Sequence, residues 1–255
     1  MANFETFTEG EIPYKRLEQF GLTREMVEDL PQSVFRRLLS SRDTPVLPIT
    51  TINQDGQAVR SEARISLVRL TDGSVDIALS PKWDTSDLTN FNDSQQRSLL
   101  SGKVLLLDIP EKGICFVQYD DTIQQAMTVP VDIIRHNIGL VQQEHGLTDK
   151  QVEDIAKGKI IQLSDERGNI ASVGVDLRQM SGLRTASGDA LAWQEEAKSD
   201  NLPEYSFGIY GCWKTDDSGS LSYVKEDDYT PEMFAEQKRI GQQNATGQNM
   251  RQMHI

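Results

Sequence analysis

Tyr14, Leu17 and Phe20 fall at helical spacing, as do the apolar positions of VDIIRHNIGLVQQE at 131–144. Each run ends near a glycine, Gly21 or Gly146, followed by Leu-Thr and a second helical pattern: FGLTREMVEDL at 20–30 and HGLTDKQVEDI at 145–155. Glycine supplies the left-handed backbone that a helix C-terminus favours, and Thr23 or Thr148 supplies an oxygen for the free N–H groups of the next helix. Leu22 with Val27, and Leu147 with Val152, have the spacing of a hydrophobic staple, and Thr148 with Gln151 that of a capping box. The pattern predicts one tight helix-to-helix corner, used twice.

A longer repetition lies beneath it. An offset of 56 residues aligns FNDSQQRSLLSGKVLLLDIPEKGICFVQYD with LTDKQVEDIAKGKIIQLSDERGNIASVGVD without a gap, matching Gly102 with Gly158, Lys103 with Lys159 and Asp120 with Asp176. Each copy reads as a helix capped by Asn92 or Thr148, a C-terminal glycine, an apolar strand and a turn at Lys112-Gly113 or Arg167-Gly168. SVFRRLLSSR at 33–42 is a looser third copy, with Ser41-Arg42 in place of Gly-Lys. Strand-like VLPITTI and RISLVRL follow it, with turn pairs at Asp55-Gly56 and Asp72-Gly73.

The predicted class is α+β: short helices with antiparallel β-hairpins, including an internal helix-plus-hairpin repeat over 91–130 and 147–186. The predicted divisions are an N-terminal α+β domain with the first corner (1–85), the two repeats (86–190), a C-terminal hairpin and helix (191–240), and a mobile polar tail (241–255). In that tail six of fifteen residues are Gln or Asn and Arg251 is the only formally charged side chain, with no apolar stripe to anchor it.

Charge narrows the function classes. Asp plus Glu outnumber Lys plus Arg by 39 to 26, and a net charge of −13 repels phosphate backbones. A helix-turn-helix can read DNA, but the helices after the two corners carry Glu25, Glu28 and Asp29, or Asp149, Glu153 and Asp154, so the corners are assigned to packing. Cys115 and Cys212 are too few for a disulfide framework and fit a reducing, cytoplasmic setting. No export signal is expected, and no run of about 18 apolar residues marks a membrane span. The glycosylation-like triplets at Asn92 and Asn244 are accordingly taken as chance.

Candidate chemistry is thin. Gly-Lys is followed by Val104 or Ile160, so neither copy is a phosphate loop. His136, His145 and His254 lack metal-ligand spacing. Cys212, beside Trp213, is a nucleophile only if a base lies near. Asp216, Asp217, Glu226, Asp227 and Asp228 offer carboxylates for a divalent metal but not at EF-hand spacing. The alternative there is a hairpin turned at Ser218-Gly219 followed by a helix with Thr230 as N-cap and Pro231 as first residue. No catalytic residue, cofactor or metal is assigned. Gly21, Thr23, Gly146, Thr148, Gly102 and Gly158 are structural corners, and Cys212, Trp213, Asp216, Asp217, Asp227 and Asp228 form a weak candidate surface.

IPYKRLEQFGLTREMVEDLP, the following TPVLPI, the repeated Gly-Lys units and the ending YSFGIYGCWKTDDSGSLSYVKEDDYTPEMF resemble a family of uncharacterised proteins, built of paired domains of unknown function, from conjugative and integrative elements of anaerobic gut bacteria. The resemblance reaches Lys238. It implies a mobile-element setting and transfers no catalytic residue. The leading expectation is a cytoplasmic, non-enzymatic accessory or interaction protein that binds an unidentified protein partner in DNA transfer or maintenance. The alternatives are a nucleic-acid-linked regulator or acidic DNA mimic of antirestriction type, and an enzyme using Cys212 or the Asp216–Asp228 carboxylates.

The charge reading makes a direct prediction: the intact chain does not bind random-sequence duplex DNA appreciably at physiological salt. Fluorescence anisotropy checks it. Micromolar or tighter affinity with a steep salt dependence would show that the cations are gathered on one face.

Overall fold

The computed structural model describes residues 7–53, 55–164, 168–179, 181–196 and 202–252. The first corner joins α1 (Tyr14–Glu18) to α2 (Arg24–Glu28). Gly21 has φ +79°, and Thr23 Oγ1 accepts from the N–H of Met26 at 3.4 Å. A Cβ on Gly21 would meet Thr50 Oγ1 at 2.8 Å, so the corner needs glycine for its neighbour as well as for its dihedral. The third helix, α3 (Gln32–Leu39), leads into a three-stranded antiparallel meander of β1 (Leu47–Ile52), β2 (Ala58–Arg69) and β3 (Val75–Pro81). Alternate residues Ala63, Ile65 and Leu67 of β2 share one core with Leu17, Val27, Val34 and Leu38 of the helices and Leu22 of the corner.

The same unit follows twice. The first is α4 (Asp93–Leu100) with β4 (Leu105–Ile109), β5 (Gly113–Asp120) and β6 (Gln125–Pro130). The second opens with α5 (Val131–His145), turns at Gly146, and continues through α6 (Asp149–Ile155) to β7 (Ile161–Ser164), β8 (Ile170–Val175) and β9 (Leu183–Ser187). Strand register repeats at the 56-residue offset, with Leu105 opposite Val117 and Ile161 opposite Val173.

The helix ends repeat atom for atom. The N–H of Lys103 donates to Ser98 O at 3.2 Å and that of Lys159 to Asp154 O at 3.0 Å, across Gly102 (φ +78°) and Gly158 (φ +80°). The looser front copy closes the same way: Arg42 N–H donates to Arg37 O at 3.0 Å across Ser41, which takes φ +51° without being glycine. Leu38, Leu99 and Ile155, the apolar residues three positions before these turns, are all buried.

Each unit contains one strand more than the predicted hairpin. The added strands, QAMTVP in β6 and LRTAS in β9, carry no clean alternation. The turn before them also differs by one residue between copies: Tyr119 faces Ala126, whereas Val175 faces Leu183. An ungapped offset cannot see past that insertion.

The remaining elements are α7 (Ala190–Glu196), a third-unit neighbour whose Trp193 ring lies 3.7 Å from the Arg184 guanidinium, and a fourth meander of β10 (Tyr205–Phe207), β11 (Gly211–Thr215) and β12 (Leu221–Lys225). Then comes α8 (Pro231–Gln252), whose N-terminus is capped by Thr230 Oγ1 at 3.3 Å from Met233 N. Two predicted divisions are revised here. Trp213 and Leu221 lie in the core of the N-terminal unit, and Leu221 N–H donates to Val46 O at 2.8 Å, so 191–240 does not stand apart from 1–85. The backbone of α8 also runs helically through 241–252, where the sequence predicts no periodic element; residues 253–255 lie outside the described residues.

Buried polar contacts lock the units to one another. Arg64 on β2 pairs with Asp120 at the end of β5, and Gln118 Oε1 accepts from Leu177 N at 2.7 Å between the second and third units. Asp176, the repeat-mate of Asp120, instead binds Arg178 and Arg184 of its own unit at 2.8 Å each. Burial opposes its charge, yet these guanidinium contacts hold its carboxyl below the usual carboxylate range.

The shared helix-end geometry yields an expected asymmetry in urea denaturation. Gly102→Ala places a Cβ in a left-handed backbone with open space around it and is expected to lose about 1 kcal/mol, whereas Ser41→Gly relieves the same strain and is expected to gain up to about 1 kcal/mol. Equal stability of wild type and Gly102→Ala would show that the turn tolerates another geometry.

Candidate functional site

Asp29 caps the C-terminal end of α2 and is only 4% exposed. Its carboxylate is aimed into the turn between β10 and β11. Oδ1 accepts from the N–H of Ile209 at 2.6 Å, Oδ2 accepts from the N–H of Tyr210 at 3.0 Å, and Oδ2 also accepts from the Tyr223 hydroxyl at 2.6 Å. Two successive backbone N–H groups and a phenol thus replace the water that a buried carboxylate gives up.

The turn is shaped around that carboxylate. A Cβ at Gly208 would fall 2.1 Å from Asp29 Oδ1, and one at Gly211 would fall 2.6 Å from the Tyr223 ring. Glycine is therefore required on both sides of Ile209-Tyr210 by close approach. Burial, reinforced by the hydrogen bond to Asp29, pushes the Tyr223 phenol well above its ordinary pKa, so it remains the donor. Trp213 completes the anchorage: its Nε1–H donates to Met26 O at 2.9 Å, and its ring packs 5.1 Å from that of Tyr223.

The result is a rigid turn with its apolar side chains outside. Ile209 is 79% exposed and Tyr210 46%. From the adjoining strand an aromatic run leads outward, with Phe207 and Tyr229 centroids 5.6 Å apart and Tyr229 and Phe234 centroids 5.5 Å apart. Phe234, on α8, is itself half exposed.

The residues singled out from sequence are not brought together as a reaction centre. Cys212 is fully buried and burial pushes its thiol up to about 11, so it is protonated at neutral pH and shielded from solvent. Trp213 is core. Asp216 serves its own turn: Oδ1 accepts from the N–H groups of Ser218 and Ser220 at 2.9 Å each and from the Ser218 hydroxyl at 2.7 Å. Burial works against its charge, but those hydrogen bonds hold its carboxyl below the usual range. Asp217 shares that turn, whereas Asp227 and Asp228 lie beyond the other end of β12, a strand of five residues spanning roughly 15 Å. Among the described residues no group of three His, Cys, Asp or Glu side chains is placed to hold a metal ion. Likewise, no described helix is long and apolar enough to cross a membrane.

Asp29, Gly208, Ile209, Tyr210 and Tyr223 carry no local signal that joins them. FGIYG reads as an aromatic strand, and Asp29 as one more surface carboxylate of an acidic helix. Only Gly208 and Gly211, directly flanking the Ile209-Tyr210 pair, hint at a constrained turn.

Residues 7–89 match a protein family described as protein of unknown function (DUF4099), a span that ends just before α4. No curated protein and no solved structure matches the chain.

Asp29→Ala removes the acceptor of three part-buried hydrogen bonds and is expected to lower stability by about 3 kcal/mol, while Asp29→Asn, which keeps an acceptor oxygen, is expected to lose less. Denaturant titration followed by tryptophan fluorescence checks the order of the two variants. An alanine variant as stable as wild type would show that the turn holds without the carboxylate.

Proposed function

We propose that this chain is a non-enzymatic accessory protein of a mobile genetic element, acting by binding another protein during DNA transfer or maintenance. One observation carries the binding part of this reading. At the first hairpin end of every one of the four described meanders an isoleucine stands exposed: Ile52 at the end of β1, Ile114 at the start of β5, Ile170 at the start of β8 and Ile209 in the β10–β11 turn. Ile114 and Ile170 are repeat-mates at the 56-residue offset.

An isolated exposed isoleucine needs no explanation, but an exposed isoleucine in or beside the first turn of each meander supports a surface that meets apolar partners. The use of the buried Asp29, Asp120 and Asp176, and of the exposed Asp216, in holding turns and units together supports a structural rather than a chemical role for these carboxylates. The mobile-element setting is supported by the sequence resemblance, and the matched family of unknown function is compatible with it.

Deleting the gene in a host that carries the element is expected to lower the element's transfer frequency or its retention over generations. A copy with serine at Ile52, Ile114, Ile170 and Ile209, confirmed folded by circular dichroism, is expected not to restore it. Transfer and retention both unchanged on deletion would sink the proposal.

A further inference from the structure

We infer that the Ile209–Tyr210 turn is a docking surface for a cationic, amphipathic segment of a partner protein. This inference rests on the protein-binding reading and names the site and the chemistry of its occupant.

The turn has the construction of an interface anchor. Interface energy concentrates in a few residues, aromatic ones prominent among them, and rigid display lowers the entropy lost on binding. Ile209 and Tyr210 are exposed although their own backbone N–H groups are fixed by the buried Asp29 carboxylate. The side chains are thus presented on backbone that is already ordered. The glycines at 208 and 211 admit no alternative side chain without displacing Asp29 or Tyr223.

Charge identifies the partner. Gly211 pairs with Lys225, so the turn at 226–228 emerges at the same end of the sheet as Ile209 and Tyr210. That turn is Glu-Asp-Asp, with all three residues exposed. The neighbouring α2 adds Glu25 and Glu28, while Arg24 and Lys225 are the cations, and Arg24 is engaged by Glu28 at 2.6 Å. Five carboxylates against two cations leave an excess of three negative charges beside an apolar tip. A second copy of this chain, with its own net charge of −13, is opposed by that field. A segment with lysine or arginine flanking apolar side chains complements it, and an arginine can also stack on the Tyr210 ring.

The probes are two fluorescently labelled synthetic amphipathic helices with the same leucine face, one bearing lysine and the other glutamate on its polar face. Anisotropy titrations at about 0.1 M salt compare wild type, Ile209→Ser/Tyr210→Ser, and a charge variant with lysine at Glu226, Asp227 and Asp228. Wild type is expected to bind the lysine peptide and not the glutamate peptide. Both variants are expected to weaken that binding at least about tenfold at unchanged thermal midpoint. Equal binding of the lysine peptide by wild type and the serine variant would overturn the site while leaving a protein-binding role intact. Failure of wild type to bind the lysine peptide would overturn the occupant. Dissociation of a wild-type dimer by the serine variant, seen by sedimentation, would replace the occupant with a second copy.

Discussion

Asp29 is separated by 180 residues from Ile209 and by 194 from Tyr223, the groups that satisfy its charge. Closing so long a loop costs entropy that grows only slowly with length, so the penalty is little larger than for a loop half the size. In return, a carboxylate that would be costly to bury alone acquires three donors. Trp213 and Leu221 enter the core formed by α1, α2, α3 and the first sheet, each adding about 1.5–3 kcal/mol of apolar burial. The geometry of the exposed Ile209–Tyr210 turn follows from this one closure, because the carboxylate that holds the chain's two ends together also holds the turn's backbone.

The units between these ends are joined by variations on a second carboxylate. Asp120 and Asp176 occupy the same place in their repeats, and each accepts from the backbone N–H two residues on, at 3.0 Å and 3.2 Å. The remaining valence is spent differently: Asp120 reaches across to Arg64 of the first unit, whereas Asp176 gathers Arg178 and Arg184 from its own. In simple repeat arrays each module touches only its neighbours. Here the last sheet instead returns to the first core.

What was legible in the sequence was local. Gly21, Gly102, Gly146 and Gly158 announce helix ends because the left-handed backbone they serve is decided within one turn of chain, and Thr148 with Gln151 announces a helix start for the same reason. The α+β class and the 56-residue repeat followed from those signals. The third strand of each meander was not legible, since β6 and β9 hold their places through pairing with β5 and β8 rather than through alternation of their own. Nor was Asp29, whose role depends on partners supplied almost two hundred residues later. Cys212 and the Asp216–Asp228 carboxylates were conspicuous by residue type, but burial and the length of β12 set them apart from one another.

The return of the fourth sheet also imposes an order of events on synthesis. The chain leaves the ribosome from its N-terminus, and the segment that matches the family of unknown function, 7–89, is complete long before Trp213, Leu221 and Tyr223 exist. Until they emerge, the pocket lined by Leu17, Leu22, Val27 and Leu30 lacks its indole wall, and Asp29 must remain hydrated. The first unit to be made is therefore among the last to be finished, and a nascent chain halted after the second repeat would carry an open apolar face.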